Sequence, residues 1–81
     1  MVAFNFTDIF VTAEYGAVSV HVEGNVNGNS IIIEKETVIA YYDFGDSFEI
    51  TGDMLNIVNE EITPAVESEI RKRTSTTGQQ A

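Results

Sequence analysis

An α+β domain, with an antiparallel three- to four-stranded meander and one kinked C-terminal helix packed on one face, is the fold this sequence predicts. Two observations carry that reading. The first fifty residues alternate or bunch their apolar side chains as strands do, with hairpin chemistry between them, and from Thr51 the apolar period changes to steps of three and four. Size adds a third constraint: 81 residues allow one domain, and a chain this short buries only about 60–65% of its unfolded surface. The expected division is a compact unit over residues 1–73 and a disordered polar tail over 74–81.

Residues 2 to 14 admit two readings, because Val2, Phe4 and Phe6 share one parity and Ile9, Val11 and Ala13 the other. A strand with a bulge near Thr7-Asp8 switches the faces and is preferred to a short helix starting at Asp8 and ended by Gly16. Residues 17 to 24 alternate cleanly, with Val18, Val20 and Val22 on one side and Ser19, His21 and Glu23 on the other. Asn27-Gly28 suits a two-residue hairpin turn, which sets Val22 opposite Ile33 and His21 beside Glu34. The third strand, about Ser30 to Tyr42, is apolar on both faces at each end, so its second face needs cover. That register places Ile32, Val38, Ala40 and Tyr42 on the face away from the helix, nominates them for self-association, and leads to the expectation of a homodimer.

Asp43 to Ser47 reads as a turn and Phe48-Glu49-Ile50 as a short fourth strand. Beyond it, Leu55, Val58, Ile62, Val66 and Ile70 form one helical stripe with Ala65 beside it. Thr51 or Asp53 caps its start, and Arg71-Lys72-Arg73 complements the dipole at its end. The stripe keeps phase across Pro64, which predicts one kinked helix and not two.

Charge is the most informative feature for function. All thirteen acids precede Arg71-Lys72-Arg73, so residues 1–70 hold thirteen acids against the single cation Lys35, a formal balance of −12 within a whole-chain net of −9. Direct nucleic-acid binding is disfavoured, since phosphate contacts dominate such affinity and this chain repels phosphate. With 43% hydrophobic residues the charge does not imply disorder. The absence of cysteine removes disulfides, thiolate catalysis and sulfur-ligated zinc. No apolar stretch approaches membrane-spanning length and the N-terminus lacks a signal-peptide pattern, so the expectation is a soluble cytoplasmic protein, in the host cytoplasm if phage-encoded, with no membrane partner.

Asp53, Glu60 and Glu67 recur every seven residues, about 10.5 Å apart along a helix, opposite the Leu55/Ile62 side. Asp43, Asp46 and Glu49 form a second acidic group at the turn. Three oxygen donors there could hold a cation, but the full calcium-loop pattern is missing, and no metal or other cofactor is expected. Asp43-Phe44-Gly45 spells the kinase magnesium triplet without the rest of that signature. His21 is the sole histidine, no serine has a base assigned by pattern, and no enzyme is expected. These six acids are therefore read as a surface for a basic, nucleic-acid-handling protein. In being short, acidic and free of catalytic motifs, the chain is similar in type to small phage-encoded inhibitors of host defence enzymes, which implies an inhibitor or nucleic-acid mimic. The alternatives are a structural or assembly subunit acting by self-association, and a small enzyme or ligand-binding module using His21 or the turn carboxylates.

Overall fold

Four strands are followed by a single helix: β1 (Val2–Thr12), β2 (Gly16–Asn27), β3 (Ser30–Tyr41), β4 (Ser47–Glu49) and α1 (Gly52–Gln79). The computed structural model describes residues 1–41 and 45–79, with 76–79 described by backbone alone. The strands form one antiparallel sheet in the order β1-β2-β3-β4, with α1 against it, as the apolar periods predict.

The valine ladder of β2 is the centre of the core. Val18, Val20 and Val22 are fully buried, with Phe4 from β1, Val38 and Ala40 from β3 and Ile50 after β4 around them. Val58, Ile62, Val66 and Ile70 of α1 close this layer from above, flanked by the partly buried Met54 and Leu55. Burying such a side chain is worth roughly 1.5–3 kcal/mol before entropy, so the face exists only because the helix covers it. Lengths match as well. Twelve strand residues span about 40 Å and 28 helical residues about 42 Å, in keeping with a molecule 44 Å long.

The structure departs from the sequence expectation at three places. The β2–β3 loop is Gly28-Asn29, closed by the Asn27–Ser30 pair. Gly28 has φ 63° whereas no non-glycine residue among those described has positive φ, the pattern of a turn with glycine at its first central position. Gly24, and not Val22, therefore faces Ile33, and His21 faces Thr37.

The second departure is the position of the bulge. β1 runs its whole length against β2 without a shift, and the irregularity lies between the Glu23–Lys35 and Gly24–Ile33 pairs, where Glu34 is the extra residue of β3. A single inserted residue turns every later side chain to the other face. Ile31 and Ile33 thus share the helix side with Glu36, Val38 and Ala40. Val38 and Ala40 belong to the core, contrary to their expected place on the open face; Ile32 does lie on that face, 47% exposed. Tyr42 lies outside the described residues. In β1 the unbroken alternation keeps Phe4, Phe6 and Phe10 on the helix side and leaves Ile9 and Val11 outside, 57% and 77% exposed.

The third departure is the length of α1. The helix continues through Pro64 and past Arg73 to Gln79, so Arg71-Lys72-Arg73 is not in the last turn. Thr74 takes part through its hydroxyl, which donates to the Ile70 carbonyl at 2.9 Å. Next to Pro64, the Thr63 hydroxyl bonds back to Asn59. Ala65, expected beside the buried stripe, is exposed.

At the bulge, the β3 backbone crowds Gly24. A Cβ built there would stand 1.9 Å from the Ile32 carbonyl oxygen and 2.8 Å from the Phe4 ring. Gly24→Ala must displace either the bulge or Phe4, and a loss of roughly 3 kcal/mol is expected. A urea midpoint equal to that of the parent would show that the bulge is not held as described.

Candidate functional site: an acidic surface without internal cations

A helix places residues seven apart almost in line, with a drift of about 20° per step. Asp53, Glu60 and Glu67 accordingly form a row on the side of α1 away from Val58, Ile62 and Val66, and all three are exposed. Asp53 also stands in the first turn, where negative charge suits the helix dipole. Asp46 and Glu49 are exposed beside and within β4, which ends three residues before α1 begins. Among the described residues, none of these five carboxylates takes part in an ion pair or a side-chain hydrogen bond. Asp43 lies outside the described residues.

Most of the remaining acids are engaged. Arg73 reaches Asp8 at 3.5 Å and Glu69 at 3.3 Å, with its guanidinium 4.1 Å above the Phe6 ring. Glu61 accepts the Ala13 N–H at 2.8 Å, Glu34 accepts from Asn25 at 3.2 Å, and Glu23 binds His21 at 2.9 Å. Arg71 lies one turn beyond Glu67, yet it turns its guanidinium to the Asn29 carbonyl, 2.7 Å away. Two cations of the terminal cluster thus fasten the helix to the sheet.

One apolar side chain interrupts the acidic face. Ile57, 55% exposed, stands one turn from both Asp53 and Glu60, beside a shallow depression formed with Asn56, Asn59 and Thr63. Periodicity could have found it, since Ile57 is the one large apolar residue of the helix centre that falls off the Leu55–Ile70 stripe.

His21 has both ring nitrogens occupied on the outer sheet face. Nε2 meets Glu23 at 2.9 Å and Nδ1 meets the Thr7 hydroxyl at 2.8 Å. Glu34, its expected neighbour, is bonded instead to Asn25, because the turn at Gly28-Asn29 and the bulge place it between the Glu23–Lys35 and Gly24–Ile33 pairs. Farther along that face Ile9, Val11, Ile39 and Tyr41 make an apolar end, with Tyr41 52% exposed. Tyr15 is half-buried and packs edge-on against Phe48 at 5.8 Å. Among the described residues no three acidic or histidine side chains converge as metal ligands, and no helix is long and apolar enough to cross a membrane. Comparison of the chain with known protein families, curated proteins and solved structures finds no match.

Glu36 is the acid that the surface does not display. The bulge turns it toward the helix side opposite Val22, and its Oε2 is buried without a hydrogen-bond partner. Burial pushes its carboxyl above the usual glutamate range. The folded state then holds this proton more tightly than the unfolded chain does. Ionisation costs nothing below the unfolded value, and the full cost is present above the folded one. Glu36→Gln is expected to stabilise the fold at neutral pH, with the gain vanishing as pH falls below the ordinary glutamate range. Urea midpoints measured across that window check it; a gain that is independent of pH would assign the effect to packing.

Proposed function

We propose that the chain is a small acidic binding protein that docks on a basic, nucleic-acid-handling protein and blocks or regulates it. The observation that carries this reading is the division of the acids into two sets. Those on the outer face of α1 and around β4 have no internal cation, while Asp8, Glu23, Glu34, Glu61 and Glu69 are held within the fold. A surface that mixes both signs limits self-repulsion. This one spends its arginines on tethering the helix and leaves Asp46, Glu49, Asp53, Glu60 and Glu67 facing solvent.

Carboxylates spaced about 10.5 Å apart on a rigid helix act as fixed anions toward a groove lined with Lys and Arg, in the place of phosphates. Charge of one sign steers encounter, and Ile57 supplies the apolar contact that steering alone lacks. A second reading, a subunit that acts by self-association, draws on Ile9, Val11, Ile39 and Tyr41 in place of the core residues Val38 and Ala40. It predicts assembly that is insensitive to salt.

Capture from a native lysate, followed by association kinetics with the purified partner, tests the first reading. Glu60→Gln with Glu67→Gln is expected to slow association by roughly an order of magnitude at low salt. Binding should fade as ionic strength rises, and complexes that persist unchanged in about 0.5 M salt, where screening acts over roughly 4 Å, would rule the reading out.

A further inference from the structure

The two edges of the sheet are built differently. Beyond the short reach of β4, the open side of β3 carries the Glu34 bulge with Lys35 and Glu36 beside it, features that discourage another strand from docking. β1 lacks all of them. It has eleven residues in unbroken register, no proline, lysine or arginine, and one charged residue, Asp8, which Arg73 holds.

The direction of each backbone group on that edge follows from the ladder. Ile50 donates to the Val38 carbonyl at 2.9 Å, so the even-numbered groups of this part of β3 point toward β4. Antiparallel alternation then turns the odd groups of β3 and β2 toward each other, the even groups of β2 toward β1, and the odd groups of β1 outward. Two hydrogen bonds agree. The Ile9 N–H donates to Asp8 Oδ1 and the Ala13 N–H to Glu61 Oε2, each at 2.8 Å and each away from β2. Ala3, Asn5, Thr7, Ile9 and Val11 therefore present an outward row of donors and acceptors.

We propose that β1 pairs edge to edge, antiparallel, with β1 of a second copy, joining two meanders into one eight-stranded sheet. The outward positions 3 to 11 are symmetric about Thr7. A two-fold axis there sets Thr7 against its counterpart, Asn5 against Ile9 and Ala3 against Val11, so each residue of the row has a counterpart, with the Ile9 N–H alone already given to Asp8. On the helix side the same register brings Phe4 to Phe10 of the other copy, a favourable cross-strand aromatic pair. Charge selects the occupant. A chain of net −9 repels its copy over most of its surface, and along β1 the sole acid is already held by Arg73. A basic partner finds little to bind there, whereas a copy finds a complement for every outward group except the Ile9 N–H, which Asp8 holds. This pairing is independent of the acidic docking surface, and either can hold without the other.

Sedimentation velocity and amide exchange by NMR test it together. Asn5→Pro deletes an outward N–H and no bond to β2, a substitution an edge strand tolerates. The deleted bond occurs twice across the axis, each worth roughly a factor of five, so dissociation is expected to be about twenty-five-fold easier, with an unchanged melting curve at dilutions where the chain is monomeric. Should that variant fail to fold, the wild-type protein decides. The Ala3, Asn5, Thr7 and Val11 amides should be protected at high concentration and exchange rapidly on dilution. A monomer at the highest soluble concentration, a dimer whose odd β1 amides exchange as fast as loop amides, or a dimer broken by Tyr41→Glu but not by Asn5→Pro would overturn the proposal.

Discussion

Burial of the α1 stripe on the valine ladder is the interaction from which the rest of this molecule follows. Val18, Val20 and Val22 lie on one face of β2, and Val58, Ile62, Val66 and Ile70 lie on one side of the helix. Neither surface is stable in water alone. Once they meet, the rotation of the helix is decided, and with it the direction in which every acid of α1 points. Asp53, Glu60 and Glu67 are exposed because the stripe opposite them is buried.

The cations serve this arrangement. Arg73 touches Phe6, Asp8 and Glu69, and Arg71 reaches the β2–β3 loop at Asn29. Individually such exposed contacts contribute at most about 1 kcal/mol. Their larger effect is on the charge pattern, because the arginines neutralise the helix–sheet margin and not the outer face. A strongly acidic chain is thereby folded so that its anions are sorted by position, some used as internal ties and some displayed.

The sheet also carries unfinished surfaces: an outer face with an apolar end at Ile9, Val11, Ile39 and Tyr41, and the bare edge of β1. The acidic outer side of α1 is a third, distinct from both. A protein this small has little material beyond its core, so the proposed partner and a second copy would share its few faces. The geometry allows that sharing, since an edge contact at β1 leaves Asp53, Glu60 and Glu67 uncovered.

By itself the sequence determined the class of fold, because local period is written residue by residue. Clean alternation over 17–24 and the 3.6-residue stripe after Leu55 could each form one kind of element, and the heptad spacing of three acids put them opposite that stripe. It did not decide register. Whether Val38 and Ala40 face the helix or the solvent depends on Glu34 being left over, whereas the turn at Gly28-Asn29 instead of Asn27-Gly28 decides which residues pair. Those choices are made by competition between whole faces: Val38 and Ala40 gain burial under α1, while Glu36 pays by losing solvent from one oxygen. The same holds for β1, where the local pattern of Ile9 and Val11 invited a bulge, yet Phe10 keeps the helix side through an uninterrupted pairing with β2. Tertiary structure also gave Arg71 and Arg73 their partners. Asn29 and Asp8 lie 42 and 65 residues from them along the chain, and only packing of α1 along the strands brings those groups together.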